Sequence, residues 1–150
     1  MAMSHGARFG WVAAAWAVAF AGLHFFWGLG GDLGLAVSAG PDLAAERPAW
    51  FVAGGLWGVG LLCLIGALVG RALARGRAGR PIRIAGYLAG LILLVRAATV
   101  EFLLLGGSTL NDTVGPDHRF WTLTVWNPWF ALGGVSFLAA SLAYRTRRDA

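Results

Sequence analysis

Four apolar runs, each about twenty residues long and separated by short connections, constrain this 150-residue chain more than any other feature. At about 1.5 Å of rise per residue, a helix of that length crosses the roughly 30 Å hydrocarbon core of a bilayer. The runs fall at about Phe9 to Leu29, Trp50 to Gly70, Ile82 to Leu105 and Val125 to Tyr144. Composition agrees: 58% of residues are hydrophobic, 13% are charged and the mean hydropathy is +0.68, values that belong to membrane proteins. The expectation is one all-α integral membrane domain over residues 1–150, a bundle of four transmembrane helices. Too little chain is left over for a soluble domain.

The formal charge of +5 matters less than where the arginines lie. Arg71, Arg75, Arg77, Arg80 and Arg83 crowd the connection between runs two and three, Arg145, Arg147 and Arg148 follow run four, and Arg8 precedes run one. The positive-inside rule puts these segments, and with them both termini, in the cytoplasm. The other two connections carry Asp32, Asp42, Glu46, Asp112 and Asp117 against Arg47 and Arg119, and are expected to face outward. Arginines clustered beside a membrane attract anionic lipid headgroups. Charge arranged this way does not indicate a nucleic-acid partner. Run one is longer than the apolar core of a signal peptide, and the small residues Val37, Ser38 and Ala39 lie well beyond its end, so it reads as a span. The single cysteine, Cys63, excludes an intramolecular disulfide and reads as a packing residue.

Glycine spacing bears on how the helices pack. Gly54 with Gly58, Gly66 with Gly70, and Gly86 with Gly90 each place small residues four apart, the pattern that lets helix backbones approach closely in lipid. Because runs two and three are joined by a short basic turn, these pairs predict a tight hairpin between them. Gly133 and Gly134 offer the same service in run four, and the pattern also suits a homodimer interface.

Against this apolar background Arg96 and Glu101 stand out, since an ionisable group at membrane depth costs roughly 2.5–3.5 kcal/mol and usually marks a working site. Counting from the outer helix ends places His24 about 8 Å in, Glu101 about 6 Å and Arg96 about 14 Å. Asn127 and Pro128 fall in the first turn of run four, where proline's missing N–H costs nothing. Arg96 and Glu101 are separated by about 140° around an ideal helix, which makes them poor mutual partners. Glu101 is expected to reach His24 or Asn127, and Arg96 a carbonyl, a ligand anion or a carboxylate such as Asp32 or Asp112. The bland alternative has Arg96 and Glu101 neutralising each other, with His24 a hydrogen-bonded packing residue.

Trp27, Trp50, Trp57, Trp121, Trp126 and Trp129 map to the outer half, with Trp11 and Trp16 left for the inner side, and an interfacial belt accounts for most of them. Phe20, His24 and Trp27 follow i, i+4, i+7 spacing and share a helix face. Phe20, Trp27, Trp57 and Trp129 are therefore expected to wall an apolar pocket, with Arg96 and Asn127 as its polar binding groups. The connection from Gly106 to Leu123, containing Asn111, Asp112, Asp117, His118 and Arg119, is expected to act as a lid. No recurrent metal-ligand spacing is present, and no metal or cofactor is expected.

The run Trp126-Asn127-Pro128-Trp129-Phe130-Ala131-Leu132-Gly133-Gly134, followed by Phe137-Leu138-Ala139-Ala140, resembles the closing helix of the DUF3995 family. The opening run Gly10-Trp11-Val12-Ala13-Ala14-Ala15-Trp16, continuing to Ala21-Gly22-Leu23-His24, is similar to that family's first helix. The resemblance implies a small four-helix membrane protein of unknown function, mostly from actinobacteria and other GC-rich bacteria, and hence the bacterial cytoplasmic membrane. An Asp often stands in that family where this chain has Asn127, which weakens any proton-transfer role there.

Three function classes fit these residues. The favoured one is an intramembrane site for a small lipophilic molecule entering from the outer leaflet. Its catalytic form would be acid–base isomerisation or cyclisation of an isoprenoid-like substrate, with Glu101 as the acid or base and His24 as proton relay. Trp27, Trp57 and Trp129 would then stabilise developing positive charge. The others are a proton-coupled transporter using Glu101, and an accessory subunit in which the polar residues only fix helix pairing.

Overall fold

The structure, a computed structural model, describes residues 5–107 and 115–146; Asn111, Asp112, Arg147 and Arg148 lie outside them. Among the described residues every regular element is helical, and four helices are long and apolar enough to cross a membrane: His5–Gly28, Phe51–Ala74, Arg80–Gly106 and Pro116–Tyr144. These are the first to fourth spans. A helix satisfies its own backbone, which is what lipid demands of a spanning segment.

The fourth span begins nine residues before the apolar run that signals it. Its first turns carry Asp117, His118 and Arg119, which hide the helix from hydropathy, but Pro116 occupies a position at the start of the helix and Gly115 precedes it. Asn127 therefore lies about 16 Å along the helix rather than in its first turn. Pro128 is interior, not initiating. Its ring would clash with the carbonyl four residues earlier, and the wider π-helical turn over Thr122–Trp126 accommodates it.

Trp16 is corrected in the same sense. It lies midway along the first span, where its indole Nε1–H donates to the Trp129 carbonyl at 2.8 Å and its ring stacks on Trp129 with centroids 5.8 Å apart. It belongs to the bundle centre, not to the inner side.

The spans do not pair as the glycines predict. The second packs along the first, the third along the fourth, and the first and fourth join the two pairs, while the second and third touch far less than either pair. A Cβ on Gly70 would lie 2.7 Å from the backbone nitrogen of Ala14 in the first span, and one on Gly90 would lie 2.9 Å from the carbonyl of Gly134 in the fourth. Gly86 faces both Ser141 of the fourth span and Leu73 of the second, so this one glycine does touch the hairpin partner. Gly54 meets nothing within 4 Å. Small residues four apart create a place for close approach, but they do not choose which helix fills it.

Between the first and second spans, the short helices Leu35–Ala39 and Pro41–Glu46 fold over the bundle as a cap. Leu35 is buried there with Trp27, Phe51 and Leu56. Arg47 ties the cap down: its guanidinium donates to the carbonyls of Trp27 and Gly31, both at 2.7 Å, and to Asp32 Oδ1 at 2.6 Å. Arg47 itself has φ 43°, a conformation most side chains avoid. Its side-chain bonds offset that backbone cost. Arg47→Ala is expected to lower stability by about 1–2 kcal/mol, through lost charge-assisted bonds at a partly exposed site, and to speed proteolysis within residues 29–48. Unchanged melting and cleavage would show that the cap is held by something else.

Candidate functional site

Asn127 is 3% exposed and sits at the centre of a polar network inside the bundle. Its amide nitrogen donates to Glu101 Oε2 at 2.7 Å and to the Ala97 carbonyl at 3.3 Å. Its Oδ1 accepts from Arg96 Nη1 at 3.4 Å. One carboxamide thus offers a donor to the acid and an acceptor to the base, and bridges two residues that their own helix holds apart. Arg96 also lies over the Phe130 ring, with Cζ 3.5 Å from the centroid, where the quadrupole of the ring face attracts a cation. Among the described residues the salt bridge joins Arg47 to Asp32, so Asp32 is not the partner of Arg96.

The network borders two hollows. On the cap side is a cleft of about 240 Å³, lined in part by Ser38, Arg96, His118, Thr122 and Trp126. Among the described residues the buried indole Nε1–H of Trp126 has no acceptor, nor has that of Trp129 three residues on. Where the second and third spans part there is an apolar groove of about 370 Å³, lined by Trp16, Phe20, Phe130 and Phe137 from the central spans and by residues such as Cys63 and Ala89 from the flanking ones. Phe130 is shared. Its side chain lines the groove and also carries the Arg96 guanidinium.

The residues expected from sequence to form one pocket divide into three groups. Arg96 and Glu101 are each bonded to Asn127, which links them. Phe20 and Trp129 join the central aromatic cluster, with ring centroids 6.2 Å apart. His24 and Trp27 continue along the first span toward the cap: the His24 ring packs edge-on to Phe20 at 4.5 Å and lies 5.2 Å from Trp27, and its Nδ1 is 2.9 Å from the Phe20 carbonyl. Trp27 Nε1–H is engaged with the Leu33 carbonyl at 2.8 Å. Trp57 stands apart, 38% exposed and packed on Phe25.

Sequence reading missed the site roles of Trp16, Phe130, Trp126, His118, Thr122 and Ser38. Trp16 had a signal, being four residues before Phe20 and so on the same face as Phe20 and His24. His118 and Thr122 were placed in a loop, so no helical face was available to assign them. Ser38 reaches the cleft only through the fold of the cap. One further regularity is visible: π-helical turns occur at Phe51–Gly58 and Thr122–Trp126, each at the cap end of its span, and the third span ends in a kink at Gly106, whose φ is 105°. Such turns are frequent at functional sites.

The protein family described as "Protein of unknown function (DUF3995)" matches residues 17–137, well over half of the chain. No curated protein and no solved structure matches it.

Proposed function

The chain belongs to the DUF3995 family, and we propose that it is a multi-pass membrane protein that binds a small lipophilic molecule entering from the bilayer. The observation that supports this reading is the meeting, at Phe130, of a half-buried polar network with an apolar groove. The groove volume, about 370 Å³, lies within the range of small-molecule pockets, and its lining of aromatic and aliphatic side chains suits a hydrocarbon ligand. Groups as costly in lipid as Arg96 and Glu101 would not be needed merely to pack the neighbouring helices.

By the positive-inside rule the cap end faces outward and both termini are cytoplasmic, which makes the outer leaflet the source of the ligand. The family resemblance puts the protein in the bacterial cytoplasmic membrane. A catalytic version would use Glu101 to move a proton on the ligand. Glu101 is held by Asn127 and His24 bonds to the Phe20 carbonyl, so the two do not form a relay in this geometry. Binding is therefore the function proposed.

Mass spectrometry of material that copurifies with the protein in mild detergent tests it. A lipophile is expected in roughly equimolar amount, and Ala89→Phe, which fills the groove from the third span, is expected to cut its occupancy about tenfold or more at unchanged melting temperature, through steric exclusion. Absence of any copurifying lipophile, or equal occupancy in the A89F variant, would sink the proposal.

A further inference from the structure

The cleft beside the network has a donor-rich lining that a plain hydrocarbon ligand does not require. A guanidinium carries five N–H donors. Among the described residues that of Arg96 makes one long hydrogen bond, 3.4 Å to Asn127, and rests its face on Phe130. No carboxylate among the described residues neutralises it: Asp32 is taken by Arg47, and Glu101 accepts from Asn127. The same cleft includes Trp126, whose buried indole N–H has no acceptor among the described residues. His118, Thr122 and Ser38 supply further polar groups toward the cap, and among the described residues no acidic side chain lines it. A cation and a donor-only indole without a facing anion are complementary to an anion.

Arg96 also lines a second concavity, on the bilayer side of the third span, formed with Leu91, Ile92, Val95, Thr99 and Val100. Ile92, about one turn from Arg96, lines both that concavity and the apolar groove between the second and third spans. Arg96 thus stands where a cleft carrying several polar groups among apolar ones meets a hydrocarbon-lined surface. This junction matches a molecule that is charged at one end and apolar at the other.

Resting on the binding role proposed above, we infer that the ligand is an amphiphile with an anionic head, such as a phosphate or carboxylate, held between Arg96 and Trp126. Its chain follows Ile92 into the apolar groove. The head enters at the cap side, past His118, where the cleft is polar. The tail occupies the membrane-facing part, where hydrocarbon is already the solvent.

Calorimetric titration of the full chain in nonionic detergent tests this with three probes: dodecyl phosphate, dodecanol and inorganic phosphate. Dodecyl phosphate is expected to bind most tightly. Its affinity is expected to fall at least about tenfold in Arg96→Gln, which removes a charge-assisted contact, and about threefold in Trp126→Phe, which removes one N–H donor. Dodecanol is expected to bind more weakly, and equally to all three proteins. If R96Q does not give a monodisperse product, W126F and Arg96→Lys carry the comparison, the lysine keeping the charge but losing the planar fork.

Equal binding of dodecanol and dodecyl phosphate, unaltered by either variant, would remove the anion while leaving a lipophile site in place. Inorganic phosphate binding as tightly as dodecyl phosphate, and losing affinity in the same variants, would make the cleft a free-anion site and overturn the amphiphile. Failure of both alkyl probes to bind would overturn the underlying binding role together with this inference.

Discussion

Replacing Asn127 with alanine is expected to destabilise the folded chain by about 2–3 kcal/mol, the sum of a charged-acceptor bond, a long charged-donor bond and the exposure of both partners at membrane depth. The loss arises on both sides of the bridge. Glu101 loses a donor at 2.7 Å, and Arg96 loses an acceptor at 3.4 Å, while neither has an opposite charge in contact among the described residues. Unfolding by SDS in mixed micelles measures the change. Replacing the three residues together, as Arg96→Met, Glu101→Gln and Asn127→Leu, is expected to recover part of it, because a buried polar cluster removed whole costs less than one left half-satisfied. If N127A shifts stability by less than about 0.5 kcal/mol, as an ordinary surface change would, the bridge is not a structural element. Asn127→Asp keeps the acceptor for Arg96 but sets a carboxylate against Glu101. That variant should weaken the Glu101 side while strengthening the Arg96 side through a new ion pair.

Gly90→Ala is expected to cost about 2–3 kcal/mol, the scale of overpacking in a tightly fitted contact. An added Cβ would sit 2.9 Å from the Gly134 carbonyl oxygen and 2.9 Å from the Leu138 backbone nitrogen. Those are backbone atoms of the fourth span, and they can yield only by moving the helix. The reciprocal contact is equally close, a Cβ on Gly134 lying 3.0 Å from the Gly90 carbonyl oxygen. Gly54→Ala provides the contrast: it opens onto nothing within 4 Å, and is expected to be neutral or slightly stabilising because alanine loses less backbone entropy. Size-exclusion profiles and melting curves of the two variants compare them directly. Similar behaviour would mean that the third and fourth spans are not in the close register described.

How much of the site was legible in sequence differs from residue to residue. Glu101 was expected from depth and type to reach His24 or Asn127, and it is bonded to Asn127. Arg96 was expected to look elsewhere, because five residues on one helix separate two side chains around its axis. The angle was right and the conclusion incomplete, since a third residue from another helix can sit between them. The shared level of Arg96 and Asn127 was hidden by the polar opening of the fourth span, where Asp117, His118 and Arg119 read as loop. Pro128 reinforced that error, because proline usually starts a helix and here lies beside a π turn.

Hydropathy and length by themselves determined that this chain is four membrane-spanning helices with ionisable residues placed in the third, since both are local properties counted along one segment. Only the tertiary structure decided which helices pair, that Phe130 joins a polar network to an apolar groove, and that Ser38 of the cap meets Arg96 at one cleft. The reason is physical. In lipid there is no contrast between apolar side chains and solvent to orient one helix against another, so rotation and register are set by the fit of small residues and by a few hydrogen bonds between spans. Those are relations between distant segments, and no pattern within one segment contains them.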